Sequence, residues 1–423
     1  MVTRRLVVPA LAALAALAAG ACQRTTDDHR SYVERAVALA PQIERATGLH
    51  FVSPPKVEVR NAEQVRAFVE KQLEDSLSRR DVAASEAAYK RLGLVADSVN
   101  LRALLGRILA QQIVGYYDPK TKTLYVVDGA DSAAAETTLR HELVHALQDQ
   151  HANLDSIERA TGDNDRSSAA HAALEGLASY AQFASSGIAL QAPGAWERVR
   201  QDIRENMQRT PVLADAPFVV RETLLFPYLS GAEFARRFVD RGGGDSLLKR
   251  LPTSTEQVLH ADAYFGKDGG KPDAPTEVTL PAPTGGTLLH TGTLGEFEIR
   301  LALYQHTEDL DMAARAALGW DGDRYEVVRT PQGDAFAWLT VWDTPQDAAE
   351  FFEGIGQTLP KHYPDAKLGP SAPAGARQYV AGGGRTVLLR ALDVQGRPAV
   401  LYVDAPPGAS TALLDPTKVT LRE

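Results

Sequence analysis

The sequence predicts an α+β protein in which a mainly helical domain with a small β-hairpin precedes a smaller α+β domain. Apolar residues recur at helical spacing through most of the first half of the chain. Two runs rich in β-branched and aromatic residues flank a turn-like Asp-Pro-Lys-Thr sequence within 113–127, which predicts a hairpin. Beyond a stretch at 266–286 that is dense in Gly, Pro and Asp, strand-like runs return. These observations indicate two domains of different character.

Length and composition agree with a globular protein of this size. The chain has 423 residues, of which 44% are hydrophobic and 23% are charged, as is usual for soluble domains, and it is longer than one average domain. The formal net charge of -9 and the pI of about 5.7 argue against a nucleic-acid or anionic-membrane partner. The sequence carries no signal for the oligomeric state.

The first residues predict export. Two arginines precede an apolar run over 6–19, and small residues lead from that run to Cys22. A charged start, an apolar middle and a small-residue end are the pattern of a secretory signal. No later stretch is apolar for the roughly 18 residues that indicate a membrane-spanning helix. The predicted membrane contact is therefore confined to the N-terminus.

The same segment resembles the bacterial lipoprotein signal, in which a cysteine after small residues is acylated. Cys22 is the only cysteine of the chain, which suits that role and excludes an internal disulfide. Ala19 stands where lipoprotein signals usually carry Leu. The resemblance implies a signal peptide over 1–21, a lipid on Cys22, a tether over 22–31, and a protein of the bacterial cell envelope that faces the periplasm or the cell surface.

The segments that follow are predicted as scaffold. Their apolar spacing indicates helices at 32–46, 61–92 (one helix or two) and 99–114, and a short strand at 56–60. The hairpin at 113–127 then leads into the segment that carries the chemistry. Its edge strand would suit an extended peptide bound by strand addition, although an ordinary core hairpin explains the same pattern equally well.

A His-Glu-x-x-His pattern follows, in a segment with apolar residues at helical spacing, and no Gly or Pro interrupts residues 132–161 around it. On a helix, His141 and His145 lie about 40° apart on one face, so both imidazoles can bind one metal ion. Neutral His is a good Zn²⁺ ligand. Glu142 is adjacent to the open position of such a metal, where it can accept a proton from water. This pattern predicts a catalytic zinc site.

Three residues compete to be the third protein ligand. Glu175 belongs to a second helical run, far enough along the chain to lie beside the first helix. His151 could be the third ligand if the chain turned sharply after His145 and brought His151 back towards the metal. Gly at position 148 would permit such a turn, but this position is Gln148. His171 lies one turn before Glu175 and is more easily explained as a neighbour of the site. Glu175 is the favoured ligand.

The two helices together resemble the gluzincin metallopeptidases, whose third ligand is the Glu of a Glu-x-x-Ala or Glu-x-x-x-Asp helix. Glu175 and Ala178 fit the first form, whereas Ser179 departs from the second. The resemblance implies a zincin-like metallopeptidase domain, assigned here to 32–265, with Zn²⁺ held by two histidines and a glutamate. It also implies a helical subdomain after the metal helix, and the sequence predicts helices from Tyr180 to Met207, at 218–229 and at 232–241.

Two later residues are candidates to stabilise negative charge on the carbonyl oxygen during hydrolysis. They are His260 and Tyr264, in a segment that, like the sequence around His141, resembles a group of uncharacterised bacterial and archaeal secreted metallopeptidase-like proteins. A structural role for either residue is the competing explanation.

The last third of the chain is predicted to be a separate α+β domain. After a linker over 266–286, residues 287–423 show helical patterns at 294–306, 311–318 and 344–354. Strands are predicted at 325–330, 335–342, 377–381, 386–393 and 399–404, with Gly-rich turns that suit an antiparallel meander. Its tryptophans, Trp320, Trp338 and Trp342, are predicted to be core residues.

The sequence thus predicts an exported, lipid-anchored zinc metallopeptidase that hydrolyses peptide or protein substrates. Two other functions remain open. A polypeptide-binding protein could keep the zinc fold without catalysis, although the intact Glu142 argues against it. An envelope-assembly factor could hold a structural zinc, which would need a fourth protein ligand such as His151 or His171.

Overall fold

A computed structural model describes residues 28–422, apart from 75, 113, 129–131, 155–156, 158–162, 191, 209, 240–242 and 370–374. The predicted signal peptide and Cys22 lie outside the described residues. The predicted tether differs from the structure at its end, because residues 28–31 already belong to the first helix. Within the described residues, no helix is both long and apolar enough to cross a membrane.

The described chain is mixed α+β, 54% helical and 20% strand, as the sequence predicts. The helical part comes first. Its helices are α1 Asp28–Thr47, α2 Ala62–Glu74, α3 Ser76–Arg91, α4 Leu101–Gln112, α5 Ser132–His151, α6 Asn164–Ser185, α7 Ala195–Gln208, α8 Pro211–Ala214, α9 Phe218–Phe226, α10 Ala232–Val239, α11 Gly244–Lys249, α12 Thr255–Leu259 and α13 Ala261–Phe265. A π-helical segment, Pro227–Gly231, joins α9 to α10.

A three-stranded sheet precedes α5. Its strands are β1 Lys56–Arg60, β2 Gly115–Asp118 and β3 Thr123–Val127. The predicted hairpin is confirmed, since β2 and β3 pair antiparallel, and β1 pairs parallel with the other side of β3. The order β1-β3-β2 leaves β2 at an edge of the sheet.

Helix α5 ends at His151, although the stretch without Gly or Pro continues to residue 161. The side chain of Asp149 accepts a hydrogen bond from the Leu154 N–H at 3.1 Å, in place of a helical carbonyl. The ring of His151 bonds to the His50 carbonyl at 2.7 Å. Long-range and side-chain hydrogen bonds therefore end the helix, and apolar spacing does not reveal them.

The predicted continuous helix from Tyr180 to Met207 is wrong, because α6 and α7 are separated by residues 186–194. Gly187 and Gly194 adopt left-handed backbone angles there, with φ of 85° and 71°. Glycine takes such angles without steric cost, and they stop a helix.

The C-terminal part is a seven-stranded antiparallel sheet with three helices. The helices are α14 Gly295–Thr307, α15 Leu310–Ala317 and α16 Pro345–His362. The strands, in the spatial order β5-β6-β7-β11-β10-β9-β8, are β5 Thr287–Gly292, β6 Trp320–Thr330, β7 Gly333–Trp342, β8 Lys367–Leu368, β9 Ala376–Val380, β10 Thr386–Val394 and β11 Arg397–Ala405. The predicted meander is confirmed in β9-β10-β11. The three tryptophans are core residues, each at most 1% exposed.

The two predicted domains are in extensive contact. The largest buried cluster contains Tyr89 and Tyr228 of the helical part together with Trp338 and Phe351 of the C-terminal part. The predicted linker is also partly ordered as strand, since β4 Glu277–Thr279 pairs with β12 Thr420–Arg422 near the end of the chain. The domain division itself stays a prediction, but hydrophobic packing is continuous across it.

Candidate metal centre

The site lies between α5 and α6, which pack through small and aliphatic side chains. Helix α6 presents alanines that are fully buried, whereas α5 presents leucine and valine; these residues are Ala169, Ala172, Ala173, Ala178 and Ala181 of α6 with Leu139, Leu143, Val144 and Leu147 of α5. Small side chains let two helix axes approach closely. The close approach brings polar groups on the facing sides within contact distance.

Glycines allow the π-helical segment to pack against α6 next to Glu175. A Cβ on Gly176 would lie 2.1 Å from the backbone of Gly231, and a Cβ on Gly231 would lie 2.1 Å from the Ala172 carbonyl oxygen. Neither position tolerates a side chain without movement of backbone. π-Helical segments occur often at functional sites, and this one adjoins the residue predicted as the third metal ligand.

We expect Gly176→Ala to destabilise the protein by about 1–3 kcal/mol or more, because the added methyl group meets backbone rather than a movable side chain. Thermal unfolding would measure the loss. Gly356→Ala is the matched control, since this helical glycine has no atom closer than 3.4 Å to an added Cβ. Its Tm should stay equal or rise slightly, as usual for Gly→Ala in a helix. Equal Tm for Gly176→Ala and wild type would contradict the packing described.

The structure brings the three favoured ligands together. The Nε2 atoms of His141 and His145 are 3.2 Å apart. The Glu175 carboxylate lies 3.1 Å from His141 Nε2 through one oxygen and 3.4 Å from His145 Nε2 through the other. All three residues are buried, and they form one of the His/Glu/Asp groups in the described chain whose geometry could hold a metal ion.

These distances can be compared with those of a zinc site. Ligand atoms at 2.0–2.1 Å from Zn²⁺ in tetrahedral positions lie about 3.3–3.4 Å from one another. The two Nε2 atoms lie 3.2 Å apart, and each lies 3.1 or 3.4 Å from one of the two Glu175 oxygens, close to that value. Two imidazole nitrogens and one carboxylate oxygen are also the donors that Zn²⁺ takes in catalytic sites with three protein ligands. The donor set and its spacing fit zinc.

Amide side chains orient both imidazoles. The Nδ1 atom of His141 lies 3.1 Å from Gln182 Oε1, and the Nδ1 atom of His145 lies 2.9 Å from Gln148 Oε1. Gln148 in turn donates to the Leu174 carbonyl at 2.8 Å. An amide oxygen only accepts, so each Nδ1 carries a proton and each Nε2 is the ring nitrogen directed at the site. Gln148, which argues in the sequence against a bent chain, thus orients the ring of His145, a candidate ligand.

Glu142 lies beside the candidate ligands, and only one of its two carboxylate oxygens has a hydrogen-bond partner among the described residues. Its Oε2 accepts a hydrogen bond from the Tyr117 N–H of β2 at 2.7 Å. Its Oε1 is buried and has no hydrogen-bond partner among the described residues. Burial, opposed by His145 and His141, raises the pKa of Glu142 to about 7. A carboxyl group with such a pKa can both accept and release a proton near neutral pH.

Asp149 of α5 joins this helix to the hairpin through hydrogen bonds. Its carboxylate accepts hydrogen bonds from the Tyr117 hydroxyl and from Lys122 Nζ, both at 2.7 Å, and its side chain is fully buried. The local sequence carries no signal for this role of Asp149. Because Tyr117 also bonds Glu142 through its backbone, Asp149 determines where the edge of β2 lies relative to Glu142.

The three ligands are electrostatically coupled. Burial alone would lower the pKa of His145, but the adjacent Glu175 carboxylate reverses the shift and raises the pKa to about 9. Burial would likewise raise the pKa of Glu175, but His145 and His141 outweigh it and hold the pKa well below its usual range. The carboxylate is therefore ionised, and it attracts positive charge to the two imidazoles, whether a proton or a metal ion.

The alternative third ligands are not in this group. His151 is exposed and bonds to the His50 carbonyl, as described above. His171 is near enough for its charge to affect Glu175, but its ring nitrogens do not belong to the group of ligand atoms. Burial lowers the pKa of His171, and the Glu175 carboxylate opposes that shift.

His260 and Tyr264 have structural contacts instead of contacts with the ligands. His260 Nε2 lies 2.9 Å from Glu296 Oε1 and 3.0 Å from an Arg300 nitrogen. The Tyr264 ring packs against Phe234 and Phe238, and its hydroxyl bonds to Arg250. No contact joins either residue to His141, His145 or Glu175 within the described part of the chain. Their role in stabilising charge stays a prediction that these contacts do not support.

Tyr228 is a neighbour of the site that sequence reasoning missed. It is buried in the π-helical segment, and its ring centroid lies 6.3 Å from that of His141. The sequence holds no local signal for it, because the π-helical turn and the contact with α6 depend on Gly176 and Gly231 together.

Comparisons with known proteins bear on the C-terminal part only. Residues 286–410 match a domain family described as a domain of unknown function, DUF8575. The match covers the sheet from β5 to β11 and leaves α5 and α6 outside. No curated protein matches the chain, and neither does any solved structure.

Proposed function

We propose that this chain is an exported, lipid-anchored zinc metallopeptidase of the gluzincin type. One observation carries the proposal. Three buried zinc-type donors lie at ligand spacing, and Glu142 beside them keeps a buried oxygen without a partner among the described residues. A buried polar atom left unpaired is costly and therefore points to a missing partner such as water. Export and the lipid anchor rest on the sequence up to Cys22 alone.

The metal would be held by His141, His145 and Glu175. Zinc, when bound, supplies Lewis-acid polarisation of a carbonyl and a lowered pKa for water. The chain's own residues supply the rest. Glu175 provides the negative charge that balances the cation, and the amides of Gln182 and Gln148 keep both imidazoles aimed at it.

Glu142 would move the proton. Its partnerless oxygen is available to accept a proton from the attacking water, and its pKa of about 7 lets it pass the proton on to the departing amine. The Tyr117 N–H holds the other oxygen and so prevents rotation of the carboxyl group. One side chain would thereby serve as base and then as acid.

The edge of β2 would bind the substrate backbone. Tyr117 directs its N–H away from β3 and towards Glu142, so the outer edge of this strand faces the site. A peptide paired along that edge would be held by main-chain hydrogen bonds, which need no particular side chains. The sheet, the metal helix and the second helix together support a zincin-like fold for the helical part.

The alternative of a structural zinc would require a fourth protein ligand. His151 bonds to a backbone carbonyl elsewhere, and His171 lies outside the group of ligand atoms. The chain's one cysteine is Cys22, outside the described residues. These facts favour a site that keeps an open position.

Metal removal tests the proposal directly. We expect the purified protein to hold about one zinc per chain and to cleave members of a fluorescence-quenched peptide library. A zinc chelator such as 1,10-phenanthroline should abolish cleavage, and added Zn²⁺ should restore it. Elemental analysis and peptide cleavage before and after chelation would measure both. Protein free of zinc, or cleavage that survives the chelator, would contradict the proposal.

A further inference from the structure

A second group of acidic side chains lies where the helical part meets the C-terminal part. It consists of Glu256 of α12, Asp273 in the chain between α13 and β4, and Asp343 directly after β7. Carboxylate oxygens of all three lie within 4.8 Å of one another. The three residues come from segments that are distant in sequence, so the fold, and no local pattern, brings them together.

The Glu256 side chain is buried, with 5% of the residue exposed, and it is directed into this group. It has no hydrogen bond or ion pair with any residue that the structure describes. Asp273 and Asp343 are exposed, and their carboxylates likewise have no such partner in the described chain. A carboxyl group on so deeply buried a side chain keeps little hydration, and no protein group in the described chain compensates for what it loses. This observation is independent of the clustering, and a cation that enters from the exposed side of the group would supply the compensation.

The backbone around the acidic group is well held. The Asp273 N–H donates to the Ala263 carbonyl at 2.7 Å, and the Asp273 carbonyl accepts from the Gln257 side chain. The Asp343 N–H donates to the Gly319 carbonyl at 2.9 Å. The backbone that carries Asp273 and Asp343 is thus held in place, which lowers the entropic cost of binding.

The mutual repulsion of these carboxylates also favours a bound cation. Burial, and then repulsion from Glu296, Asp273 and Asp343, raises the pKa of Glu256 to about 10. Burial and then repulsion from Asp321 raise the pKa of Asp273, and burial raises the pKa of Asp343 to about 6. Arg397 opposes both shifts without cancelling them, and it also lies 3.3 Å from Asp321. The group as described therefore holds a proton in place of the positive charge that a bound cation would provide.

We propose that Glu256, Asp273 and Asp343 form a binding site for a hard divalent cation of the Ca²⁺ type, which joins the helical part of the chain to the C-terminal sheet. Only carboxylate oxygens are offered, and hard cations prefer such ligands to the imidazoles of the first centre. Ca²⁺ takes six to eight oxygens at 2.3–2.6 Å in flexible geometry, so opposite ligands lie about 4.6–5.2 Å apart. The exposed side of the group leaves room for water to complete the shell.

Such an ion would add a crosslink between segments that are distant in sequence. The single cysteine excludes an internal disulfide. A cation held by these three residues would fasten the segment between α13 and β4 to both neighbouring parts, much as a disulfide closes a loop. This role is independent of peptide hydrolysis and of the zinc proposal.

The test is Ca²⁺ binding to the zinc-loaded protein after removal of other divalent ions. We expect binding with a Kd of about 10⁻⁴ M, in the range of extracellular sites, and a rise in Tm of about 2–4 °C at saturating Ca²⁺. Glu256→Gln and Asp343→Asn should each weaken binding at least about tenfold and remove the rise. Isothermal titration calorimetry and thermal unfolding would measure both effects, with Mg²⁺ as the second ion.

Controls separate this site from a failure to fold and from the first centre. A glutamine closely resembles a protonated Glu256, so Glu256→Gln should fold normally and keep its zinc. Asp268→Asn removes one charge from an exposed position nearby and should bind Ca²⁺ like wild type. Mg²⁺ binding that both substitutions abolish would also support a hard-cation site. Absence of binding by both ions at about 10 mM, far above that range, or binding unaffected by either substitution, would overturn the proposal.

Discussion

Glu142→Gln should retain zinc and lose peptide hydrolysis by about 10³-fold or more, because a general base commonly contributes 10²–10⁴-fold and an amide cannot accept the proton. The substitution keeps the shape of the side chain and an oxygen that can accept the Tyr117 N–H. The coordination of the metal should therefore be preserved. Cleavage of a fluorescent peptide at matched zinc content would measure the loss.

Glu136→Gln provides the matched control. It removes the same charge from the same helix, where Glu136 forms a half-exposed ion pair with Arg140 at 2.9 Å. Such pairs contribute only about 0–1 kcal/mol, so this variant should keep both zinc and activity. A Glu142→Gln protein that is as active as Glu136→Gln would remove Glu142 from the mechanism.

Glu175→Ala should lose zinc. The other ligands would then be two imidazoles, without the carboxylate that balances the cation, and we expect zinc affinity to fall by more than the 10–100-fold typical of changes outside the ligand shell. Hydrolysis should disappear with the metal. Zinc content after dialysis, and titration with a competing chromophoric chelator, would give the change in affinity.

The control for Glu175→Ala is Glu298→Gln, which changes another glutamate whose pKa burial shifts strongly. Burial raises the pKa of Glu298 to about 8, and its carboxyl group bonds to the Tyr89 hydroxyl at 2.9 Å, away from the proposed ligands. This variant should keep its zinc even if it is less stable. Full zinc occupancy in Glu175→Ala would return the third-ligand role to His151 or His171.

The local sequence pattern is sufficient to predict most helices and strands and to identify the candidate metal ligands. The spacing of His141 and His145 places them on one helical face whatever the rest of the chain does, and the turn residues at 118–121 make a hairpin of the flanking strands. Glu175 was predicted because a second helical run follows the first. The fold class was predicted for the same reason, since apolar periodicity is a property of each segment alone.

Helix ends follow less directly from the sequence than helices do. Helix α5 stops at His151 because the side chain of Asp149 binds the Leu154 N–H, and α6 stops before Gly187. Apolar spacing continues past both points. The end of a helix depends on which side chain captures the last free backbone groups, and the hydrophobic pattern does not encode that choice.

Only the tertiary structure decided which side chains surround the ligands. Gln182 bonds to His141 because α5 and α6 pack through alanines, and Tyr228 approaches His141 because Gly176 and Gly231 admit close backbone contact. Glu256 meets Asp273 and Asp343 by the same kind of assembly. The sequence by itself determined the helices, the strands and the faces that carry chemistry, because periodicity acts over a few residues. Contacts between distant segments depend on how those faces pack, and packing is a property of the folded chain.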